Sequence, residues 1–384
     1  MRKICVVITA RPSYSRIKTA LEAINSDPKL KLQLVVCASA LLDRYGSVIN
    51  TIERDGFTVD SRVYMVLEGE NPNAMSKTTG IGILELSTVF DNLKPDAVVV
   101  VADRFETIAV SIAAAYQNIP LVHIQGGEVT GNIDEKVRHA NTKLADIHLV
   151  ASEDAKQRII KMGEDPEYVI NTGCPSIDIA KIVSEKEQPL FDVYKEYGGV
   201  GSQPPYREHG YFVVMQHPVT TEFKESRHQI EETLFAIKDI QQSVFWFWPN
   251  VDAGADGTST GIRSFRERFN LPHIHFFKQM EPEDFLKLLI HSKALIGNSS
   301  AGIRECSFLG VPAINIGSRQ NRRMRGDNVL DVTYDRHAIN NAINQTLSSP
   351  KPPSSPIYGN GMAGKNIANI LRTIPLRSHK TIAY

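Results

Sequence analysis

Short apolar segments alternate with amphipathic segments along the first half of the chain. The apolar segments are nearly continuous, as expected of parallel strands that helices cover on both faces. They lie at 4–8, 32–36, 97–101, 121–124 and 147–150, and helices are predicted at 14–26, 41–55, 75–92, 105–117 and 133–145. Alternating strands and helices of this kind predict an α/β fold with a doubly wound parallel sheet.

The predicted helix at 133–145 has one clearly apolar face. Its apolar residues recur at helical spacing, at Ile133, Val137, Ala140 and Leu144. Asn132 is expected to cap the start of this helix, and Glu135 stands at the position that completes a capping box.

The alternation stops at about 184–209, where a polar, turn-rich stretch indicates a linker or an exposed loop, and then resumes. Strands are predicted at 211–215, 244–247, 274–277, 294–296 and 313–316, and helices near 225–241, 260–269, 282–291, 301–309, 335–347 and 362–373. We therefore predict two Rossmann-like domains, 1–184 and 185–361, with the segment 362–384 packing back on the first. Ligands of such sheets bind beyond the carboxyl ends of the strands, so we expect a site in a cleft between the two domains.

The charge balance narrows the classes of partner. Lys plus Arg and Asp plus Glu both number 43, so the formal net charge is zero and no global field attracts nucleic acid or an anionic membrane. No apolar stretch approaches the length of a membrane span, and the N-terminal apolar run is too short for a signal peptide. The four cysteines show no metal-binding spacing, which predicts buried free thiols and a cytoplasmic protein.

Polar residues follow the predicted strands of the first half. Arg11 and Arg16 come after the first strand, where a loop leads into a helix and could hold an anion. A surface arginine without a binding role would show the same sequence pattern. Asp103 follows the strand at 97–101 and fits either a catalytic role or a helix cap. Gly126-Gly127 follows the next strand and would allow a ligand to approach the backbone, or form a tight turn.

Asp134 is a candidate general base. It lies one helical turn before Arg138 and two turns before Asn141, on a stripe that borders the apolar face. A shielded carboxylate beside an arginine stays ionised and can accept a proton. The alternative is an exposed ion pair with no chemical role.

The second half contains a similar set of polar turns. His217 follows the strand at 211–215, either as a boundary residue or as a contact to a phosphate or hydroxyl. Ser299, Ser300 and Gly302 lie in a small-residue turn that opens a helix, a place where N–H groups and hydroxyls bind diphosphates. Glu305 could accept hydrogen bonds from ribose hydroxyls.

A cluster of arginines follows the strand at 313–316, within Gly317-Ser-Arg-Gln-Asn-Arg-Arg-Met-Arg325. In a neutral chain such a cluster needs an anionic partner or nearby acids. Nucleic acid is weakly supported, because no aromatic platforms accompany the arginines.

These motifs together resemble those of the hydrolysing UDP-N-acetylglucosamine 2-epimerases of sialic-acid-type and legionaminic-acid-type biosynthesis. The likeness spans almost the whole chain and rests on Thr9-Ala-Arg-Pro-Ser-Tyr-Ser-Arg16, Asp103-Arg104, His123-Ile-Gln-Gly-Gly-Glu-Val-Thr-Gly131, Ile133-Asp134, Arg138-His139, Gly173-Cys-Pro-Ser176, His217-Pro-Val-Thr-Thr-Glu222, Gly297-Asn-Ser-Ser-Ala-Gly-Ile-Arg-Glu305 and Gly317-Ser-Arg-Gln320. The resemblance implies a glycosyltransferase-B-type fold, a UDP-sugar ligand, no cofactor and no metal, and a homodimer or homotetramer.

The resemblance also implies a reaction and a set of roles. A base removes the C2 proton, UDP leaves C1, and water adds to the resulting glycal with inversion at C2. The family's acid and base positions match Asp103, Gln125 and Asp134, with Glu128 and Arg138 nearby. Its UDP contacts match residues in both halves, namely Arg11, Arg16, His217, Ser299, Ser300, Gly302, Glu305, Arg319 and Gln320.

Gln125 departs from the family pattern, which commonly has a glutamate there. An amide can orient water or a sugar hydroxyl, but it cannot exchange a proton at neutral pH. Four interpretations therefore stay open: a hydrolysing epimerase that uses the remaining carboxylates, the same reaction on a UDP-2,4-diacetamido-2,4,6-trideoxyhexose, a reaction that retains the UDP-sugar or transfers the sugar, and a UDP-sugar-binding regulator.

Overall fold

The computed structural model describes residues 1–43, 47–68, 71–102, 104–129, 133–186, 190–249 and 255–383, with Pro72, Ile133, Asp134, Thr220 and Ala255 described by their backbone alone. The chain divides into two compact units. The first comprises Met1–Asp178 and Tyr358–Tyr384, and the second comprises Ile179–Ile357. The boundaries proposed from the sequence, at 184 and 361, lie a few residues further along the chain.

The strands of the first unit are β1 (Arg2–Ile8), β2 (Leu30–Cys37), β3 (Ser61–Val63), β4 (Ala97–Val101), β5 (Leu121–Ile124), β6 (Ile147–Val150) and β7 (Val169–Asn171). Its helices are α1 (Arg11–Ser15), α2 (Lys18–Ser26), α3 (Val48–Arg54), α4 (Pro72–Leu93), α5 (Thr107–Tyr116), α6 (Ile133–Leu144) and α7 (Glu153–Lys161), and α8 (Pro175–Glu185) runs across the boundary between the units. Three-residue strands β3 and β7 were not predicted, because they are too short to show an apolar period.

Within the described residues, these strands form one parallel sheet in the order β3-β2-β1-β4-β5-β6-β7. Successive residues of β1 pack into different cores: Ile4, Val6 and Ile8 belong to one apolar cluster, and Cys5 and Val7 to another. Both faces of the sheet are therefore covered, which explains why its strands show nearly continuous apolar runs.

The strands of the second unit are β8 (Val200–Gly201), β9 (Tyr211–Met215), β10 (Ser243–Phe247), β11 (Ile274–Phe277), β12 (Leu295–Gly297), β13 (Ala313–Ile316) and β14 (Val329–Val332). Its helices are α9 (Val193–Tyr197), α10 (Tyr206–His209), α11 (Ser226–Ile237), α12 (Ala255–Arg268), α13 (Pro282–His291), α14 (Ser300–Ile303), α15 (Glu305–Leu309) and α16 (Arg336–Ser348), and α17 (Ala363–Thr373) completes the first unit. The described strands form the order β14-β13-β12-β9-β10-β11-β8, in which the short β8 is antiparallel to β11.

The second sheet is also covered on both faces, since Phe212 and Val214 of β9 pack into one apolar cluster and Tyr211 and Val213 into another. The predicted α/β fold with two Rossmann-like domains is confirmed. The stretch 184–209, predicted as a loop, contributes α9, β8 and α10 in its described part. No helix in the described part of the chain is long and apolar enough to cross a membrane.

A buried carboxylate fixes α17 to the first unit. Asp178 accepts hydrogen bonds from the backbone N–H groups of Ala363 (2.8 Å) and Gly364 (2.7 Å) at the start of α17, and from the hydroxyl of Thr19 on α2 (2.9 Å). A Cβ atom on Gly364 would lie 2.6 Å from the backbone of Thr19, so glycine allows the two helices to approach closely. At the other end of α17, Arg2 donates to the carbonyl of Leu371 at 2.5 Å.

We expect Asp178→Ala to lower the free energy of unfolding of the first unit by about 1–3 kcal/mol, because it leaves buried donors unsatisfied. Urea unfolding followed by circular dichroism measures the loss. Asp335→Ala is the matched control, since Asp335 caps α16 through a single exposed hydrogen bond from Ala338. Equal losses in the two variants would show that Asp178 is only an ordinary helix cap.

Candidate functional site

The site residues predicted in the first unit follow three neighbouring strands, β1, β4 and β5. Arg11 begins α1 just after β1, and Gln125 follows β5 directly. Asp103, which comes after β4 in the sequence, lies outside the described residues, as does Asn132. Because parallel strands end at the same edge of a sheet, the residues after these strands are gathered at one edge.

His123 on β5 holds the end of the neighbouring strand β4. Its ring is fully buried, with Nε2 at 2.9 Å from the carbonyl of Ala102 and Nδ1 at 3.2 Å from the hydroxyl of Thr142. A carbonyl only accepts, so Nε2 carries the proton and Nδ1 accepts from Thr142. This neutral form agrees with the pKa of His123, which burial lowers to about 3. The imidazole thus fixes the backbone that leads into Asp103.

Gln125 is fixed at both its backbone and its side chain. Its φ is +61°, in the left-handed region, while its N–H extends the sheet by donating to Leu149 at 3.0 Å. Its side-chain Nε2 donates to the sulfur of Cys174 at 3.2 Å, and Oε1 is buried with no hydrogen-bond partner in the described part of the protein. Backbone strain and an unsatisfied buried acceptor are both features that concentrate at functional sites.

The glycines after Gln125 are required by the protein's own packing. A Cβ atom on Gly126 would lie 2.8 Å from the ring of His123, and one on Gly127, where φ is +74°, would lie 2.5 Å from the carbonyl oxygen of Ala155. The tight-turn interpretation accounts for both glycines, and close approach of a ligand is not needed to explain them.

Arg138 is held beneath the loop that follows β5. Its side chain is only 2% exposed, and Nη1 donates to the backbone carbonyl of Glu128 at 2.9 Å. Glu128 is itself buried. Further along α6, Asn141 is fully buried and bonded to Ser111 and Thr107 of α5. Arg138 and Asn141, which follow Asp134 on the same stripe of α6, are therefore shielded from solvent.

Glu106 is a buried carboxylate that the sequence analysis did not select. It is 1% exposed and precedes α5, and its Oε1 accepts from Nε of Arg104 at 2.8 Å. Its Oε2 has no hydrogen-bond partner among the described residues. The signal was present in the run Asp-Arg-Phe-Glu after β4, but only its first acid was considered.

Arg11 and Arg16 lie at the two ends of α1. Arg11 is the first residue of this five-residue helix and Arg16 is its C-cap, and both side chains are half-buried. The predicted single helix at 14–26 is in fact two, because Ile17 leaves the helical conformation between α1 and α2. Both cations therefore belong to the turn after β1.

In the second unit, the predicted residues also follow three neighbouring strands, β9, β12 and β13. Asn298, directly after β12, bridges to the end of β9: its Oδ1 accepts from the N–H of His217 at 2.7 Å and its Nδ2 donates to the carbonyl of His217 at 2.8 Å. Asn298 is fully buried and was not selected from the sequence. It fixes the position of His217 relative to the serine turn.

The serine turn opens a broken helix. Ser299 caps α14 by accepting from the N–H of Ala301 at 3.3 Å, and the hydroxyl oxygen of Ser300 accepts from Nη2 of Arg304 at 3.0 Å. Each hydroxyl therefore keeps its proton for donation to a ligand. The helix predicted at 301–309 ends after one turn at Ile303 and resumes as α15. So short a helix has little macrodipole, and anion binding here depends on local N–H and O–H groups.

Glu305 and Gly302 differ in what they offer a ligand. Oε2 of Glu305 has no hydrogen-bond partner in the described residues and lies 3.9 Å from Nε of the buried Arg304. A Cβ atom on Gly302 would lie 3.2 Å from that of Ala313, so this glycine lets α14 pack closely against β13. Gly302 thus supports the turn, whereas Glu305 supplies an acceptor.

The residues after β13 converge on Asn298. Nη1 of Arg319 and Nε2 of Gln320 both donate to the carbonyl of Asn298, at 3.1 and 2.8 Å. Oε1 of Gln320 is buried without a hydrogen-bond partner in the described chain. Arg325, the last of the arginine cluster, instead pairs with Asp331 at 2.7 Å. Internal acids therefore account for one of these arginines.

A carboxylate also connects the turns after β9 and β13. Glu222 accepts from Nε2 of Gln229 at 2.7 Å and from the hydroxyl of Ser318. Burial, together with the negative charge of Glu222, raises the pKa of the neighbouring Tyr334 to about 12, so this phenol stays protonated. Glu222 is the last residue of the motif His217-Pro-Val-Thr-Thr-Glu222, but no role was predicted for it from the sequence.

His217 is neutral in this environment. Burial lowers its pKa to about 3, and the positive charge of Arg319 acts in the same direction. A neutral imidazole beside an arginine can donate one hydrogen bond to a phosphate or a hydroxyl.

Comparison with known proteins gives a consistent set of relatives. The sequence model of a family described as UDP-N-acetylglucosamine 2-epimerase matches residues 22–372. The UDP-N,N'-diacetylbacillosamine 2-epimerase (hydrolyzing) of Legionella pneumophila is 32% identical over 98% of this chain and 97% of its own length. A UDP-N-acetylglucosamine 2-epimerase of Neisseria meningitidis serogroup B is 31% identical over 94% of this chain and 92% of its own length.

Solved structures show the same fold. The crystal structure of UDP-GlcNAc 2-epimerase from Neisseria meningitidis bound to UDP-GlcNAc aligns with a TM-score of 0.78, at 18% identity, over 96% of this chain and 99% of that one. The glycosyltransferase-B-type fold that the sequence resemblance implied is thereby confirmed.

We expect the ring of His217 to stay neutral at about pH 5 in the ligand-free protein, where an unperturbed histidine, with a pKa near 6.5, is mostly charged. Because the folded-state pKa is lowered, this residue makes the protein less stable as the pH falls from about 6.5 towards 3. NMR of ¹⁵N-labelled histidine rings measures the charge, with His217→Gln giving the assignment and the exposed His337 as internal reference. Protonation of His217 near pH 6 would contradict the burial described above.

Proposed function

Because the chain belongs to the UDP-N-acetylglucosamine 2-epimerase family, we propose that it is a hydrolysing 2-epimerase. Its substrate is UDP-N-acetylglucosamine or a close UDP-N-acetylhexosamine, and its products are UDP and a free N-acetylmannosamine-type sugar. The observation that carries the proposal is the set of polar residues after β1, β4 and β5 of one sheet and β9, β12 and β13 of the other.

The reaction needs two kinds of protein group. A base removes the C2 proton of the sugar as the C1–O bond to UDP breaks, which leaves a glycal. Water then adds across the double bond: its hydroxyl bonds to C1, and a proton is delivered to C2 on the opposite face. Carboxylates suit the proton transfers, and cations with N–H or O–H donors stabilise the charge that develops on the departing diphosphate.

Residues of the first unit are assigned to the sugar chemistry. Asp103 and Asp134 exchange the protons, because the amide of Gln125 cannot. Asp103 directly follows Ala102, whose backbone carbonyl accepts a hydrogen bond from His123. Glu128 and Arg138 support the loop that follows β5, because the guanidinium of Arg138 donates to the backbone carbonyl of Glu128.

Residues of the second unit are assigned to UDP. Ser299, Ser300 and the neutral ring of His217 donate to the diphosphate, and Arg319 adds positive charge. Glu305, with an unsatisfied carboxylate oxygen, accepts from the ribose hydroxyls. Arg11 and Arg16 of the first unit are also assigned to UDP, as the family resemblance implies, and Gly302 and Gln320 complete the turns of the second unit.

A second substrate is favoured by one specific observation. The Legionella relative, which matches nearly the whole chain, is named for UDP-N,N'-diacetylbacillosamine. The neutral amide of Gln125 also differs from the usual glutamate and would suit a sugar that offers an additional amide N–H group. We therefore propose UDP-2,4-diacetamido-2,4,6-trideoxyglucose as the alternative substrate of the same reaction.

Cellular location and assembly follow from the same proposal. The four cysteines, Cys5, Cys37, Cys174 and Cys306, are buried and form no disulfide bonds, which agrees with a reducing cytoplasm. We propose a cytoplasmic homodimer or homotetramer, as the family resemblance implies.

The first test is product analysis in D2O with UDP-N-acetylglucosamine and with the diacetamido analogue, followed by NMR. We expect free sugar that carries deuterium at C2, together with UDP, because the proton returned to C2 comes from solvent. The faster of the two substrates identifies the sugar. Retention of the UDP-sugar would instead indicate a non-hydrolysing epimerase, transfer to an acceptor a glycosyltransferase, and binding without turnover a regulator.

The second test concerns the carboxylates. Asp103→Asn and Asp134→Asn should each lower kcat by about 100-fold or more, since a positioned acid or base contributes that much. Asp91→Asn is the matched control, because Asp91 is exposed on α4, where it pairs with Lys94. Titration with UDP shows whether the variants remain folded and able to bind. Near-full activity in both site variants would disprove the assignment of these two residues.

A further inference from the structure

The segment Gly173-Cys-Pro-Ser176 is among the motifs of the family resemblance, yet the proposed function assigns it no role. Cys174 stands between β7 and α8. Its N–H donates to the carbonyl of Tyr358 at 2.8 Å, and its own carbonyl accepts from Ile177 at 2.9 Å. The backbone at this position is therefore fixed without any help from the side chain.

The side chain of Cys174 lies in a short chain of polar groups. Its sulfur is 3.0 Å from the hydroxyl of Ser176 and accepts from Nε2 of Gln125 at 3.2 Å. All three side chains are buried, and Cys174 is fully so. A thiol can both accept and donate weak hydrogen bonds, so it can serve both neighbours at once.

This contact decides which end of the Gln125 amide is occupied. The group is planar, so binding Nε2 to the sulfur turns Oε1 towards the other side. The backbone of Gln125 is already fixed by its left-handed φ of +61° and by its bond to Leu149. Oε1 is then a buried acceptor without a hydrogen-bond partner in the described protein. An acceptor held in this way is complementary to an N–H or O–H donor.

We propose that Cys174, supported by Ser176, is a positioning residue that fixes the Gln125 amide so that Oε1 receives a hydrogen bond from an N–H or O–H group of the bound sugar. This inference rests on the proposed function, because it takes the ligand to be a UDP-N-acetylhexosamine. A fixed amide is a neutral acceptor at every pH, unlike a glutamate. The pair therefore selects a donor group on the sugar and takes no part in proton transfer.

The orientation of the amide can be measured without turnover. Protein labelled with ¹⁵N in its glutamine side chains gives one NH2 resonance pair for each residue, and Gln125→Glu identifies the pair of Gln125 by its loss. Cys174→Ala should shift this pair, because it removes the acceptor of Nε2. Cys5→Ala is the matched control, because Cys5 on β1 is equally buried, belongs to the same unit and packs among apolar side chains. The proposal would be overturned if the NH2 resonances of Gln125 shifted no more in Cys174→Ala than in Cys5→Ala.

Kinetics test the effect on the sugar. Cys174→Ala should lower kcat/KM for the preferred UDP-sugar by about 2- to 12-fold, the range expected for loss of one hydrogen bond, and should leave the affinity for UDP alone unchanged. Cys174→Ser, which keeps a polar group at this position, should recover part of the loss. In a Gln125→Met background, Cys174→Ala should cause no further loss. Equal losses in both backgrounds, or a parallel fall in UDP affinity, would show a general structural effect and overturn the proposal.

The two readouts separate this proposal from the proposed function. If the wild-type protein turns over no UDP-N-acetylhexosamine, the proposed function fails, and the NH2 resonances still decide whether Cys174 fixes the amide. If the wild-type protein is active and the resonances of Gln125 do not respond to Cys174→Ala, the proposed function stands and the positioning role is wrong. The resonances also decide when residual activity of Gln125→Met is too low to measure.

Discussion

The site depends on one constraint: parallel strands all end at the same edge of their sheet. Every chain segment that leaves that edge needs partners for its backbone groups, and in this protein many come from side chains. His123 bonds to the carbonyl of Ala102, and Asn298 bonds to both backbone groups of His217. The polar residues at the two edges therefore connect neighbouring strand ends by hydrogen bonds. Their remaining polar groups are the ones available to a ligand.

Among the buried side-chain atoms that have no hydrogen-bond partner in the described residues, four are acceptors in the turns that follow the strands. Oε1 of Gln125, Oε2 of Glu106, Oε2 of Glu305 and Oε1 of Gln320 have no hydrogen-bond partner in the described part of the chain. Each belongs to a side chain that another residue holds or flanks. A buried acceptor without a partner costs about 1–3 kcal/mol, so such groups are expected where a ligand supplies the missing donor. These four oxygens are therefore candidate acceptors for a ligand at the two sheets.

Gln125, in place of the usual glutamate, changes the chemistry of this position without changing the fold around it. A glutamate there would carry a charge and could exchange a proton, whereas the amide gives a fixed donor to Cys174 and a fixed acceptor to its other side. Under the proposed function, proton transfer falls to Asp103 and Asp134, and the amide changes which group of the sugar the site recognises. The two relatives are likewise named for different UDP-sugars.

The sequence alone determined the α/β fold, the two sheets and the turns that carry polar groups, because apolar periodicity and strand-end composition are local properties. It could not show β3, β7 or β14 clearly, since edge strands of three or four residues carry too little periodicity. It also placed a single helix at 301–309, where the structure has two turns broken at Arg304. Asn298 and Cys174 became prominent only in the tertiary structure, because their partners His217 and Gln125 are distant along the chain. Glu106 became prominent through its burial, which is also a property of the packed fold. Burial and the geometry of hydrogen bonds depend on packing, and packing is decided by the fold as a whole.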